Sequence, residues 1–312
     1  MVDSKQQWKA WLYLAPAIVL LLIFTVWPIF NTVRMAFLEG YNALTVLIGE
    51  QFTIGFGNFL KVITADDFLE CLTNTMLLTV LTVPLSTLLA LLIAVALNSI
   101  KPLQKFLQTI FFLPYVTNSI AIGMVFAAMF NIIGLRPDGS FADSWGIINS
   151  IITAFGGEPI NWINAQSSYA ANIAVMTIYI VWNALPFKIL ILLGGLQAIN
   201  KQYYDAARVD GTPRWRVLTR ITVPLLSPML AYVIITGFIG GFKEYSSIVG
   251  IFGEKMGPVG DAFRLNTMVG YIYEALPKMD YGVASAAALV LFAIIFVVTM
   301  INLWVGKKRV HF

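Results

Sequence analysis

Six long stretches of apolar residues, each almost free of charge, divide this chain of 312 residues. A helix needs about 20 mainly apolar residues to cross the hydrocarbon core of a bilayer, and every stretch reaches that length. An α-helix also satisfies its own backbone hydrogen bonds in lipid, where water is missing. The pattern therefore predicts an all-α membrane protein. We expect one transmembrane domain over residues 1–312, with six helices at about 11–33, 71–97, 107–132, 169–196, 219–242 and 281–306.

The overall composition agrees with a membrane location. Hydrophobic residues make up 59% of the chain and charged residues 12%, against about 45–50% and about 25% in soluble domains. The net charge is +4, without a concentrated basic patch of the kind that binds nucleic acid. We therefore expect the chain to work in a lipid bilayer and to bind no nucleic acid.

The distribution of lysine and arginine predicts how the helices are oriented. If both termini are cytoplasmic, the inner segments are 1–10, 98–106, 197–220 and 306–312, and they hold 12 of the 20 basic residues. Cytoplasmic loops of membrane proteins carry an excess of lysine and arginine. We therefore expect cytoplasmic N- and C-termini in a multi-pass protein of the cytoplasmic (inner) membrane, with the segment 197–220 facing the cytoplasm.

Several kinds of catalytic and metal chemistry are excluded by what the sequence lacks. Cys71 is the single cysteine and His311 the single histidine, so an intrachain disulfide, a CxxC metal site and a Ser-His-Asp triad cannot form. The phosphate-binding pattern G-x-x-x-x-G-K-[ST] does not occur. The chain is expected to be non-catalytic, without a cofactor or a metal of its own.

The polar segment between the fourth and fifth apolar stretches has the local signals of two helices joined by a sharp turn. Asn200 is a suitable N-cap for a helix over 201–209, and Gly211 provides the left-handed residue that ends it. Thr212 and Pro213 then restart a helix, with the threonine as cap and the proline at the first helical position. Such a surface is suited to docking a partner protein.

The same segment resembles the EAA loop of ABC importer permeases. That loop has an acidic residue, two alanines, a glycine after three further residues and, after nine more residues, Ile-x-aliphatic-Pro. Here the pattern runs from Asp205 through Gly211 to Ile221, with Asp205 in place of the usual glutamate and Val223 in place of the usual leucine. The resemblance implies that the loop over 200–217 couples the permease to ATPase subunits. The residues that it assigns to this coupling are Tyr204, Asp205, Ala206, Ala207, Asp210, Gly211 and Pro224.

Further segments are similar to the carbohydrate branch of these permeases, which includes the maltose-type and glycerol-phosphate-type subunits. The resemblance implies a type I ABC importer permease fold and a non-enzymatic subunit that moves a sugar or oligosaccharide into the cytoplasm by alternating access. The similar segments cover nearly the whole chain in the order of that branch: 13–16, 27–28, 74–75, 83–85, 111–115, 182–186, 194–199 and 281–286.

The resemblance also implies partners and leaves some alternatives open. The partners are a second, homologous permease subunit, two ATPase subunits that bind ATP and magnesium, and an extracytoplasmic solute-binding protein.

Glycerol phosphate, an amino acid, phosphate or a polyamine is an alternative cargo, and the identity and length of any glycan stay open. An ion-coupled secondary transporter would need intramembrane carboxylates, and the six stretches have none except Glu70 at a boundary. A non-transporting scaffold would not need the loop.

A sugar path needs hydrogen-bonding groups beside flat aromatic faces, because sugars present hydroxyl edges and patches of C–H. The fourth and fifth stretches offer this mixture, and the third offers weaker candidates. In the maltose-type subunit the corresponding stretches contribute to substrate contact. The competing interpretation is an aromatic belt at the membrane interface. The candidates for the substrate path are Tyr115, Asn118, Trp182, Asn183, Gly241, Phe242, Glu244 and Tyr245.

Three features of the apolar stretches need the structure to interpret them. Lys188 is the one charge well inside a stretch, which indicates a functional residue, but snorkelling of its amine toward the cytoplasm is the favoured explanation. Gly237 and Gly241 have GxxxG spacing, which suits either packing within the chain or a subunit interface. The apolar segment 145–157 is too short to span, and we expect a helix at the outer surface or over the pore.

Overall fold

The computed structural model describes residues 7–42, 44, 52–100, 104–135, 141–143 and 146–309. One short antiparallel hairpin in this part of the chain, β1 (Ile133–Leu135) with β2 (Phe141–Asp143), is the exception to an otherwise helical fold. The helices are α1 (Gln7–Leu21), α2 (Trp27–Phe37), α3 (Gly57–Thr64), α4 (Asp66–Ser99), α5 (Gln104–Val116), α6 (Ser119–Phe130), α7 (Ile147–Ala154), α8 (Tyr169–Ala198), α9 (Lys201–Val209), α10 (Arg214–Val217), α11 (Val223–Leu225), α12 (Ser227–Gly241), α13 (Ser246–Phe252), α14 (Met268–Ala275) and α15 (Tyr281–Arg309).

The described residues contain between four and six candidate membrane spans. Four are continuous helical stretches: Trp8–Phe37, Asp66–Ser99, Tyr169–Ala198 and Tyr281–Lys307. The first of them joins α1 to α2 through a short π-helical turn. Two further spans arise if each bent pair counts as one, Gln108–Val116 with Ser119–Phe130 and Arg214–Leu225 with Ser227–Gly241. Counted in this way, the six segments overlap the six predicted ones.

The two bent spans lie where single helices were expected, at 107–132 and 219–242. Asn118 leaves the helical conformation with ψ 122°, and its side chain accepts hydrogen bonds from the first amides of α6, Ile120 N at 2.9 Å and Ala121 N at 3.3 Å. The other pair bends by 70° beside Leu226. Pro228 follows in the first turn of α12, where its missing N–H cannot extend the earlier helix.

The described chain divides into two compact units, the first made of residues up to 69 with 271–293, and the second of 70–270 with 294–312. In the first unit, Asn58 of α3 is buried and forms hydrogen bonds with the backbone at the end of α2. Its amide donates to Ala36 O at 3.1 Å and to Leu38 O at 2.7 Å. A Cβ on Gly282 would lie 2.8 Å from the same amide nitrogen, so glycine is required there.

In the second unit, α8 is the central helix, because it contributes to two separate apolar clusters. Its first half packs through Met176 and Tyr179 in one cluster. Its last turns pack through Leu192 and Leu196 in the other. The segment between them carries polar side chains and lines a cavity that is described below.

Two further features of the second unit are a close contact between α6 and α13 and the short helix α7. Gly123 of α6 lies against Gly250 of α13 so closely that a Cβ on Gly123 would be 2.7 Å from Gly250 Cα. The predicted short helix in 145–157 is confirmed as α7, although Trp145 lies outside the described residues. Its placement at an outer surface stays a prediction.

Candidate functional site

In the segment 200–217, called the docking loop here, the first half has the local structure that its sequence predicts. Asn200 Oδ1 accepts a hydrogen bond from Gln202 N at 3.0 Å and caps α9. Gly211 has φ +63°, the left-handed conformation that ends the helix. Thr212 N then donates back to Ala207 O at 2.9 Å, which closes the turn.

The restart of the helix differs from the prediction by one residue. Pro213 lies at the N-cap of α10 with an extended ψ of 147°, and no side chain caps this helix. Its carbonyl accepts from Arg216 N at 2.9 Å and from Val217 N at 3.1 Å. The assignments of Thr212 as cap and Pro213 as first helical residue are therefore wrong. The extended proline redirects the chain after the turn, and helical backbone begins only at Arg214.

The residues that were assigned to coupling have different surroundings in the docking loop. Asp205, Ala206, Asp210 and Gly211 are exposed, whereas Ala207 is buried. Tyr204 is half-buried, and its hydroxyl lies 3.3 Å from Thr222 Oγ1. Pro224 lies in α11, beyond the loop. A groove of about 400 Å³ brings Ala206, Ala207 and Asp210 together and is also lined by Asn200, Gln202, Tyr203, Thr212 and Ile221.

A second concave site, the polar cavity, has a volume of about 440 Å³. Helices α4, α5, α6, α8 and α12 contribute to its wall, together with the residues that follow α12. Its lining residues are Thr82, Val83, Ser86, Tyr115, Ser119, Ile180, Asn183, Ala184, Phe187, Lys188, Thr236, Gly237, Gly240, Gly241, Glu244, Ser246 and Ser247.

The structure divides the predicted substrate-path residues into two groups. Four of them, Tyr115, Asn183, Gly241 and Glu244, line the polar cavity. The other four lie outside its lining. Asn118 caps α6, and Phe242 is buried. Trp182 packs on Phe126 with ring centroids 5.3 Å apart, and Tyr245 packs against the first apolar cluster of α8.

The cavity wall combines hydrogen-bonding groups with aromatic faces. Asn183 Nδ2 donates to Ser119 Oγ at 3.2 Å. The rings of Tyr115 and Phe187 are stacked, with centroids 5.8 Å apart and an interplanar angle of 18°. Glu244 Oε1 accepts from the backbone N–H groups of Tyr245 at 3.2 Å and Ser247 at 3.1 Å. This arrangement can bind a polyhydroxylated solute through its hydroxyl edges and its C–H faces.

Thirteen lining residues were not among the substrate-path candidates from the sequence, and six of them are serine or threonine. Spacing would have found some of them, because residues four apart share a helix face. Phe187 follows the candidate Asn183 at that interval, and Gly237 precedes the candidate Gly241. Ser119 begins α6 after a helix break that apolar composition does not locate, and Ser246 and Ser247 begin α13.

The prediction that Lys188 snorkels toward the cytoplasm is wrong. The side chain is 4% exposed, and Nζ donates to Val83 O at 3.2 Å, Ser86 Oγ at 2.7 Å and Thr87 Oγ1 at 2.9 Å. These three acceptors on α4 satisfy the ammonium in place, so it does not need to reach water.

The GxxxG pair packs within the chain. A Cβ on Gly237 would lie 3.1 Å from Val83 Cγ1, and one on Gly241 would lie 2.8 Å from Thr79 Cγ2. Both glycines therefore let α12 approach α4 closely. Within the described residues, no group of three or more His, Cys, Asp or Glu side chains could hold a metal ion.

Comparisons with known proteins agree on one family. The family described as the binding-protein-dependent transport system inner membrane component matches residues 83–311. The lactose transport system permease protein of Rhizobium radiobacter is 26% identical over 305 residues, which is 96% of this chain and 95% of that protein. The arabinooligosaccharides transport system permease protein of Bacillus subtilis is 29% identical over 298 residues, 94% of this chain and 87% of that protein.

The fold is also similar to that of a solved structure. It resembles a chain in the crystal structure of a bacterial alginate ABC transporter in complex with an alginate pentasaccharide-bound periplasmic protein. The TM-score is 0.77 at 23% sequence identity, and the match covers 96% of this chain and 94% of that chain. The shared fold confirms the helical membrane architecture, while the orientation of the termini stays a prediction.

Proposed function

Because this chain belongs to the family of binding-protein-dependent transport system inner membrane components, we propose that it is the translocation subunit of an ATP-driven importer for a sugar or oligosaccharide. Membership makes the chain a multi-pass transport component of the inner membrane and not an enzyme. The cargo proposal is supported by relatives whose names specify lactose and arabinooligosaccharides. The observation that carries it is the polar cavity, whose hydroxyl, amide and carboxylate groups lie beside stacked aromatic rings.

The complex that we propose contains three kinds of partner. A second, homologous permease subunit completes the pore, two ATPase subunits bind ATP and magnesium, and an extracytoplasmic solute-binding protein delivers the cargo. The family is by its description dependent on a binding protein, and the similar alginate transporter is described in complex with a periplasmic one. The exposed groove of the docking loop is the surface that we assign to an ATPase subunit.

Transport in this proposal is alternating access driven from the docking loop. The loop begins directly after α8 and leads through α10 and α11 into α12, and both α8 and α12 line the polar cavity. When ATP closes the ATPase pair, displacement of the loop moves these two helices and turns the cavity toward the outside; hydrolysis resets it. This is linkage, because the nucleotide state changes the relative free energy of two pore conformations.

Inside the cavity, Asn183 and Glu244 would bind sugar hydroxyls, and the rings of Tyr115 and Phe187 would contact the C–H face. Carboxylate and amide groups accept and donate the several hydrogen bonds that a polyol offers. The site should bind weakly, since the cargo must also leave it. Specificity then resides mainly in the binding protein.

Filling the cavity provides the direct test of this proposal. Gly240 lines the cavity, and a Cβ there meets no atom within 4 Å, so Gly240→Leu should fill the space without disturbing the fold. Gly194 on α8 has equally open surroundings but does not line the cavity, which makes Gly194→Leu the matched control. ATP-dependent uptake per purified complex should be lost in Gly240→Leu and retained in Gly194→Leu.

The measurement uses reconstituted complex, ATP and the cognate binding protein loaded with the sugar that calorimetry identifies as its ligand. Equal uptake by Gly240→Leu and the parent would remove the cavity from the path. Uptake by the parent that needs an ion gradient and no ATP would instead favour a secondary transporter.

A further inference from the structure

Lys188 has an unusual place in the polar cavity. Its ammonium is buried among α4, α8 and α12, and its three N–H groups all donate to oxygen atoms of one turn of α4, at Val83, Ser86 and Thr87. The only ion pair within the described residues joins Arg264 and Asp261, so no described carboxylate lies within ion-pair distance of this ammonium.

The stability of the fold does not explain why a lysine is there. Burial of an ammonium without an opposite charge costs several kcal/mol, by order of magnitude. The α4 hydroxyls that accept from Lys188 do not need it as a hydrogen-bond partner. Ser86 Oγ donates to Thr82 O at 2.5 Å and Thr87 Oγ1 donates to Val83 O at 2.7 Å, so both hydroxyls keep a partner without Lys188. An apolar side chain of similar length would therefore leave no buried donor unpaired and would avoid the desolvation of the charge.

The position of the contacts points to a role in movement. The residue lies on α8, which runs directly into the docking loop. Its three partners surround the turn after Pro84 of α4, and Gly237 of α12 packs against the same turn, with its Cβ position 3.1 Å from Val83 Cγ1 and 3.3 Å from Lys188 Nζ. Three of the helices that line the cavity, α4, α8 and α12, thus lie around this one ammonium. Of these, α8 and α12 flank the docking loop in the chain, whereas α4 does not.

We propose that Lys188 is a positioning residue that makes α4 move with α8 and α12 when the docking loop moves. The inference rests on the proposed function. A purely apolar contact between α4 and α8 would allow the helices to slide, because dispersion contacts have little directionality, whereas three hydrogen bonds fix both register and distance. Because its donors are all occupied by α4, Lys188 binds no cargo in this proposal.

The test replaces the ammonium by an apolar group of similar length, Lys188→Met. In the reconstituted complex, ATP hydrolysis should continue while the cargo moved per ATP falls at least about fivefold, the lower end of typical coupling free energies. The melting temperature of the purified complex should be unchanged or higher. A loss of coupling without a loss of stability separates a positioning role from a structural one.

Two further variants control the experiment. The double variant Ser86→Ala with Thr87→Val removes two of the three acceptors with nearly the same shapes, and it should reduce coupling in the same way but add little to Lys188→Met. Thr177→Val provides the matched control on α8, because Thr177 Oγ1 is buried without a hydrogen-bond partner in the structure. It should leave the cargo moved per ATP unchanged.

Each outcome decides the proposal. Unchanged cargo per ATP in Lys188→Met, or in the double variant if Lys188→Met fails to assemble, would overturn it. A raised KM for cargo with intact coupling would also overturn it and make Lys188 a cargo-binding group. If the parent complex itself shows no ATP-dependent uptake, the proposed function fails instead.

Discussion

Adjacent residues on α8 differ in what they contact, although the sequence placed both in the substrate path. Asn183 lines the polar cavity and donates to Ser119 Oγ, whereas the ring of Trp182 packs on Phe126. Side chains one position apart on a helix point about 100° apart, so the two face different surroundings. Composition alone could not choose between them, because it contains no information on which side of α8 the cavity lies.

This pair gives a prediction on the substrate path. Asn183→Ala removes a donor and an acceptor from the cavity, so ATP-dependent uptake per assembled complex should fall while the binding protein's affinity for the sugar is unchanged. Trp182→Phe should lower the melting temperature and leave normalised uptake intact, because it changes only packing. Normal uptake in Asn183→Ala together with impaired uptake in Trp182→Phe would reverse the assignment of the two residues.

Lys188 marks the limit of single-residue inference from the sequence. Its rarity in an apolar stretch correctly indicated an unusual residue, but its acceptors lie about 100 positions earlier in the chain, on α4. Only tertiary structure brings them together. Snorkelling was the favoured interpretation because a sequence shows the length of the lysine stem and not the oxygen atoms around it.

At the scale of helices, the sequence predicted most of what local chemistry decides, although not the start of α10, and it missed what packing decides. The cap at Asn200 and the left-handed Gly211 were predicted, because both depend on the residue and its immediate neighbours. The positions of the breaks at Asn118 and beside Leu226 do not follow from apolar composition, because it continues through them. The polar cavity depends partly on these breaks, as Ser119 and Tyr115 line it from either side of the first.

The turn at Gly211 gives a prediction on coupling. Gly211 has φ +63°, and a Cβ there would meet no atom within 4 Å, so a substitution is limited by backbone strain alone. Gly211→Val should cost about 1–2 kcal/mol or distort the turn, and uptake should collapse while membrane insertion persists. Gly211→Asn is the matched control, because asparagine adopts the left-handed conformation more readily. Normal ATPase stimulation and uptake in the valine variant would remove the turn from the coupling mechanism.

At the scale of the whole molecule, six predicted apolar segments correspond to four continuous and two bent candidate spans. The fold is shared with a chain of the alginate transporter over nearly its full length, at a TM-score of 0.77. Hydrophobic length therefore located the segments well, because lipid imposes that length on every span. The assignment of the docking loop to the cytoplasmic side of the membrane rests on charge distribution alone.

Orientation is tested by single cysteines in an otherwise cysteine-free chain, made by Cys71→Ala. Val209 at the end of α9 is 88% exposed, and Val259 in the segment before α14 is 82% exposed, so a thiol at either position can react. A membrane-impermeant maleimide added to intact cells, with any outer membrane made permeable, should label Val259→Cys at once. It should label Val209→Cys only after the inner membrane is opened, because the excess of lysine and arginine keeps the docking loop inside. The opposite pattern would put the loop out of reach of cytoplasmic ATPase subunits and would end the coupling proposal.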